Sequence, residues 1–313
     1  MNNIQVELVN KEECKKFFKK WGVFSSECYA TPEGREEVVG KHCYKTGHYS
    51  GSRSFSFVFK VKGVSRSCTA QMNRSSVGVT INEKSMRYVD FSNAVIKIPP
   101  TIEGNEKAKE VFLDATKCVL DAYKELQDIL AEDGITGEKS NQDCRYILPL
   151  GTETSAVYGY TLEALENFMN NRLCSRSQWE IRKVAALMRD EVLDVLPELK
   201  DKLVPRCEKL MWCPEGKGCC GRKPTKEELK NKLNNIPHKY GEVRQDQLEY
   251  LKSKYLYDDD PIEYLDVRVP FYYKDVKYQS MDIKDYISMV EEIERREELK
   301  VLEILKKRNK LNN

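Results

Sequence analysis

Residues 53–90 read RSFSFVFKVKGVSRSCTAQMNRSSVGVTINEKSMRYVD. Between residues 55 and 63 the side chains alternate: Phe55, Phe57, Phe59 and Val61 fall on one face, Ser56, Val58, Lys60 and Lys62 on the other. This pattern predicts a half-buried strand with one apolar face on a core. The stretch SRSCTAQMNR that follows predicts a short helix or an extended turn. Residues 73–90 have a different character. Arg74, Arg87 and Glu83 stand among the hydroxyls of Ser75, Ser76, Thr80 and Ser85, around a small apolar patch of Val77, Gly78, Val79 and Ile81. Fixed donors at this density make the segment a candidate local anion site, since guanidinium groups hold oxyanions in a bidentate fork and hydroxyls complete the set. Ser85 and Arg87 are two residues apart, so in an extended chain they would point the same way.

Working outward, residues 11–21 and 33–46 predict short helices, the second framed by a Thr-Pro start and a glycine stop. Residues 105–133 predict a long amphipathic helix, with Val111, Ala115, Cys118, Val119, Ala122, Leu126, Ile129 and Leu130 on one stripe. CRYILPL breaks at Pro149. TLEALENFMNNRL predicts another helix, and a further long one begins near Ser177. Beyond Pro224 the periodicity predicts helices over 225–235, 243–256 and 282–310, the last a charged surface helix or interaction arm. The organisation expected is a main domain over 1–222 and a mostly helical C-terminal extension over 223–313.

Charged residues make up 33% of the 313, and the signs nearly cancel to +2. No global field for nucleic acid or an anionic membrane follows, so any anion site is local. No apolar run approaches the roughly 18 residues of a membrane span, and the N-terminal residues lack a secretory signal, so the expected location is cytoplasmic. Eleven cysteines in such a setting are expected to be reduced thiols. Cys207, Cys213, Cys219 and Cys220 cluster, but not in the closely spaced pairs that structural zinc favours. A glycine-rich loop with free thiols is expected, and no metal.

The polar residues gather in four places: around His48, Ser50 and Arg53; from Gln71 to Tyr88; at Arg145; and over Asn167, Arg172, Arg176 and Gln178. Read in order they give G-H-x-S, a strand, Q-x-x-R, N-E-x-S-x-R-Y, R-x-x-L-P and N-F-x-x-x-R-x-x-x-x-x-Q-W-E-I-R. This set, across roughly residues 40–200, resembles the flavin-dependent thymidylate synthases, the thymidylate synthase complementing protein family.

The resemblance implies a fold of mixed α/β (α+β) class, with a twisted, mainly antiparallel sheet and long helices. It implies dUMP as substrate, FAD as cofactor, 5,10-methylenetetrahydrofolate and NADPH as co-substrates, and a homotetramer with shared active sites. Carried onto this chain, it places Gln71, Arg74, Glu83, Ser85, Arg87, Arg145 and Arg172 on dUMP, and Ser50, Arg74, Asn82, Glu83, Asn167 and Arg176 on FAD. Arg172 is the expected catalytic residue, near the pyrimidine. No cysteine nucleophile is implied.

The chain departs from the family pattern mainly on the flavin side. Where Arg-His-Arg is usual it has Arg74-Ser75-Ser76, and where Glu-His is usual it has Arg53-Ser54. An Asn and an Arg become Thr161 and Glu163, and a carboxylate becomes Gln142. A serine lacks the flat surface of an imidazole and the charge of a guanidinium, so weaker FAD binding is expected. Two other readings stay open on these residues: a related pyrimidine-nucleotide one-carbon transferase, and a non-catalytic nucleotide-binding paralogue.

Overall fold

The computed structural model describes residues 4–28 and 30–228, and the backbone of 268–273 and 276–282. The described chain forms two compact units, Met1–Arg206 and Cys207–Asn313.

The first unit is built on one four-stranded sheet. In chain order its elements are β1 (Gln5–Leu8), α1 (Lys11–Cys14), α2 (Phe17–Cys28), α3 (Glu36–Thr46), β2 (Phe57–Ser65), α4 (Arg66–Met72), β3 (Val79–Glu83), α5 (Pro100–Glu103), α6 (Glu106–Glu132), α7 (Glu138–Cys144), β4 (Glu153–Tyr160), α8 (Leu162–Arg172) and α9 (Trp179–Val195). The strand order is β1-β2-β4-β3, and every pairing is antiparallel. The mixed α/β class therefore holds.

The alternation in β2 does what it predicts. Phe57, Phe59 and Val61 are fully buried, while Lys60 and Lys62 stay exposed. The strand starts at Phe57 because residues Tyr49–Ser54 form a 3-10 turn just before it. Phe55 follows that turn and packs edge-on against Phe17 and Phe57. The other three strands are not marked by a comparable pattern. β4 lies between β2 and β3 and sends Thr154, Ala156, Tyr158 and Tyr160 inward. The helix expected over 11–21 is two helices, and α2 runs on to Cys28.

Helices α2 and α3 cross at backbone contact distance. A Cβ on Gly22 would meet the Glu36 carbonyl oxygen at 1.6 Å, and one on Gly40 would meet that of Phe18 at 1.9 Å. This approach lets Phe17, Phe18 and Trp21 seal one end of the core. Leu162, Leu165, Phe168 and Met169 of α8, with Ile181, Val184, Ala185, Met188 and Val192 of α9, complete it.

A smaller, separate core consists of Phe91, Tyr123 and Cys144, with Met86, Ala94, Leu130 and Leu148 packed against it. It anchors α6, whose length of about 40 Å follows from the helical rise. Tyr123 is the buried residue of α6. Much of the stripe expected to be apolar and inward is uncovered by its own chain: Val111 is 70% exposed and Ile129 is 52% exposed.

In the second unit, Cys213 donates its backbone N–H to the Pro224 carbonyl at 2.6 Å, closing the glycine-rich loop. Thr225 and Glu228 cap each other, as a helix start requires. The remainder of the helix expected over 225–235, and those over 243–256 and 282–310, lie outside the described residues apart from Asp282. Strands β5 (Arg268–Tyr273) and β6 (Val276–Asp282) form a hairpin that the sequence reading did not anticipate. The eleven cysteines are unbridged, and no helix among the described residues is long and apolar enough to cross a membrane.

The α2–α3 crossing can be tested directly. Gly40→Ala forces the two backbones apart, and overpacking of this kind costs about 1–3 kcal/mol. The expected result is a lowered urea midpoint with an unchanged slope.

Candidate active site

Four short segments carry the polar residues, and the fold fixes each in a different way. The first is α4. Its N-cap is Ser65, whose Oγ accepts the Cys68 N–H at 3.1 Å. Ser65 itself is held by Glu180, a carboxylate only 2% exposed at the start of α9. Glu180 accepts the Ser65 N–H at 2.7 Å and the Ser65 hydroxyl at 2.6 Å. The Gln178 side chain caps α9 by accepting the Glu180 and Ile181 N–H groups. The Q-W-E stretch therefore sets where β2 ends and α4 begins.

From α4 the network runs to β3 and α8. Arg66 pairs with Glu83 at 2.7 Å, with both side chains mostly buried. Asn73 donates to Glu83 at 3.4 Å and accepts the Tyr158 hydroxyl at 3.0 Å. Burial pushes the Tyr158 phenol up, so it stays a neutral donor. At the end of α8, Arg172 donates to the Gln71 carbonyl at 3.3 Å. The structure thus gathers Gln71, Glu83 and Arg172 around α4, together with Arg66 and Asn73, which the sequence reading missed. Cys68 lies within the field of Arg172, but burial drives its thiol up and keeps it protonated.

The second segment corrects the sequence reading. Residues 85–88 form a turn rather than extended chain. The Ser85 hydroxyl accepts the Arg87 N–H at 3.1 Å and the Tyr88 N–H at 3.3 Å. Serine often closes a local turn in this way, in competition with extended structure. Arg87 pairs with Glu138 of α7, and its carbonyl accepts from Asn141 at 3.3 Å. Gln127 of α6 joins Asn141 to Asp90. Burial alone would raise the Asp90 carboxyl, but hydrogen bonds from Ser92 and Gln127 outweigh it and hold the group below its ordinary value. Arg145 follows α7 and donates its Nε–H to the Gln142 carbonyl at 3.1 Å.

The third segment is the loop at Arg74-Ser75-Ser76. The Ser75 N–H closes the end of α4 on the Met72 carbonyl. Gly78 turns the chain into β3 with φ at +71°, and its carbonyl accepts the Thr161 N–H at 2.9 Å. A Cβ at Gly78 would lie 2.6 Å from Thr161 Oγ1. The loop that departs from the family pattern is therefore pinned to the start of α8, which departs from it too.

The fourth segment is the turn carrying Ser50. Arg53 forms a two-point ion pair with Glu163 of α8, at 2.6 and 3.1 Å. The two acquired charges compensate each other. Tyr49 reaches Glu166 at 3.3 Å, so this turn is fastened to α8 twice. Asn167 is exposed on α8 and accepts from Asn171 at 3.0 Å; Arg176 lies exposed in the loop before α9.

The donor chemistry suits a dinucleotide cofactor. Ser50, Arg74 and Asn82 are exposed and make no side-chain hydrogen bond among the described residues. A hydroxyl, a guanidinium and an amide are thus left facing outward, as a pyrophosphate and a polar ring edge require. Among the described residues no group of three or more His, Cys, Asp or Glu is placed to hold a metal ion.

A family profile described as thymidylate synthase complementing protein matches residues 16–198. The chain belongs to that family. It is 38% identical over 186 residues to a flavin-dependent thymidylate synthase of Nitratidesulfovibrio vulgaris, covering 59% of this chain and 76% of that one. A flavin-dependent thymidylate synthase of Clostridium tetani is 33% identical over 184 residues, covering 56% and 73%. Among solved structures, thymidylate synthase X of Helicobacter pylori, with FAD and dUMP, aligns at a TM-score of 0.45 and 18% identity, covering 64% of this chain and 99% of that one.

The Glu180 contact gives a clear expectation. Glu180→Ala leaves Ser65 with two buried unpaired donors. Hydrogen bonds to charged groups contribute about 1.5–3 kcal/mol each, so stability should fall by about 3 kcal/mol in denaturant titration. Ser65→Ala in the same background should then cost only the loss of the α4 cap, about 0.5–2 kcal/mol.

Proposed function

We propose that the protein is an FAD-dependent thymidylate synthase. It converts dUMP to dTMP by reductive methylation, with 5,10-methylenetetrahydrofolate as carbon donor and NADPH as reductant. The observation that carries this reading is the ordered motif set of a family member, with Gln71, Glu83 and Arg172 gathered around α4.

In this reading Gln71, Arg74, Glu83, Ser85, Arg87 and Arg145 bind dUMP. Arg87 offers its guanidinium to the phosphate, steadied by Glu138 until the ligand competes for it. Ser50, Arg74, Asn82, Glu83, Asn167 and Arg176 hold FAD. When bound, FAD supplies the reducing equivalents for the reaction. Arg172 sits at the pyrimidine, where negative charge develops as the ring is reduced, and a fixed cation aimed at developing charge lowers the barrier. Cys68, held as a neutral thiol, has no nucleophilic part.

We further propose that the active form is a homotetramer. The uncovered stripe of α6 supports it, as does exposed apolar surface beside the site segments: Val77 next to Ser76, Tyr88 next to Arg87, and Tyr146 next to Arg145. A site flanked by uncovered apolar groups is one that a neighbouring copy completes.

Protein reconstituted with FAD should show flavin absorbance that NADPH bleaches and that dUMP with the methylene donor restores, with dTMP as product and without response to UMP or dCMP. Arg172→Ala should slow that restoration on the order of a hundredfold, with a smaller loss of dUMP affinity. Protein reconstituted with FAD that binds dUMP yet makes no dTMP would reject the assignment. Light scattering should give four times the chain mass; a stable, active monomer would refute the tetramer.

A further inference from the structure

The second unit carries a loop with sulfur at both ends: residues 213–222 read CPEGKGCCGR. The chain leaves Cys213, turns at Gly216 with φ +52°, and passes through a 3-10 turn over Gly216–Gly218. The Gly218 and Cys219 N–H groups bond back to the Glu215 and Gly216 carbonyls at 2.9 and 3.0 Å. Gly221, φ +83°, turns the chain a second time. Left-handed backbone at both positions suits glycine and strains other residues. Residues 223–225 then return alongside the loop. The Cys213 N–H donates to the Pro224 carbonyl at 2.6 Å, and Cys213 bridges to Thr225. The Cys219 thiol donates to the Lys223 carbonyl at 3.3 Å, and its sulfur accepts the Gly221 N–H at 3.4 Å. One short backbone segment thus holds both cysteines, and the Cys213 thiol hydrogen-bonds the Cys219 sulfur.

The two thiols differ in access. Cys213 is 5% exposed, Cys219 is half-buried, and their neighbour Cys220 is exposed. Burial first, and then the bond to Cys219, push the Cys213 thiol up against the opposing pull of the Glu215 N–H, so it keeps its proton at neutral pH. An accessible thiol with a buried thiol behind it is the arrangement that disulfide exchange needs, because the first attacks and the second resolves. The local charge is one-sided. Between Glu215 and Glu227 every charged residue is cationic: Lys217, Arg222, Lys223 and Lys226. A rim of one sign draws reagents of the opposite sign and repels those of its own.

We propose that Cys213 and Cys219 form a redox dithiol that exchanges with a low-molecular-weight anionic disulfide. Cys219, as thiolate, attacks one sulfur of that disulfide. The S–S bond breaks, one small thiol leaves, and a mixed disulfide forms on Cys219. Cys213 then gives up its proton and attacks the Cys219 sulfur, expelling the second small thiol and closing the Cys213–Cys219 bond. The chain loses two electrons and two protons, and the small disulfide takes them up as two thiols. The bridge locks the loop that precedes the Thr225 cap. The site uses no residue of the proposed thymidylate reaction and is tested apart from it.

The test uses the full reduced chain, incubated without oxygen with oxidised glutathione as the anionic probe or cystamine as the cationic one, then alkylated and cut with trypsin. Cleavage after Lys209, Lys217 and Arg222 puts Cys213 in residues 210–217 and Cys219 in residues 218–222, so the bridge joins two peptides. It should form in the parent and equally in Cys220→Ser. Cys213→Ser should stop with one glutathione held on Cys219, and Cys219→Ser should form no link. Glutathione disulfide should react about tenfold faster than cystamine at low salt, with the difference fading at high salt. Unlinked peptides in the treated parent, a link that survives in Cys219→Ser or is lost in Cys220→Ser, or a link found only between two chains overturns the pair. Cystamine reacting as fast as glutathione disulfide overturns the choice of an anionic partner. One zinc ion per reduced chain, kept on desalting and lost in Cys213→Ser, would make these sulfurs metal ligands and overturn the proposal.

Discussion

One buried carboxylate holds this architecture in register. Glu180 is removed from water and satisfied by two donors of a single residue, Ser65. Burying an anion is costly unless it is hydrogen-bonded, so the arrangement tolerates little displacement. Ser65 is both the last residue of β2 and the N-cap of α4. The contact therefore fixes three things together: the end of the central strand, the start of the helix carrying Gln71, and the depth of α9. Arg172 then reaches the Gln71 carbonyl across the same helix. The placement of the candidate catalytic guanidinium depends on a carboxylate that is itself buried away from solvent.

The elements legible in the sequence are those with a strong period. The Phe/Lys alternation of β2 and the apolar spacing of α8 and α9 each state which face is buried, whereas the spacing of α6 marks a stripe that its own chain leaves largely uncovered. β1 is four residues long and half polar. β4 turns inward on Thr154, Ala156, Tyr158 and Tyr160, and small or hydroxylated residues carry no hydrophobic period. β3 lies at the sheet edge with polar residues on its open face. β1 and β4 exist because β2 offers a template, and β3 because β4 does, which is tertiary information.

The site shows the same division. Its motif residues could be read as an ordered set, but their partners could not. In a chain that is one-third charged, nothing local marks Glu138 as the partner of Arg87, or Glu163 as that of Arg53. Ser85 was misread because its hydroxyl takes backbone N–H groups two and three residues on, a choice that favours a turn over extension. The ion pairs also explain how exposed guanidinium groups stay oriented. Surface pairs contribute little to stability, yet each limits the directions in which an arginine can present its donors.

The distribution of sulfur has a consequence for how the chain opens. Cys14, Cys43 and Cys68 lie in the main core and Cys144 in the small one under α6. Burial pushes the Cys14 thiol up to about 12, and Cys68 is pushed up as well. Since the thiolate is the reactive form, Cys14 and Cys68 are chemically silent at neutral pH while the fold is closed, and burial keeps reagents from Cys43 and Cys144. Cys28 and Cys220 are exposed. The native chain thus carries its own clock of local unfolding: alkylation of Cys144 times the release of α6, alkylation of Cys68 times the parting of sheet and helices, and the difference between them measures how far the two cores are coupled.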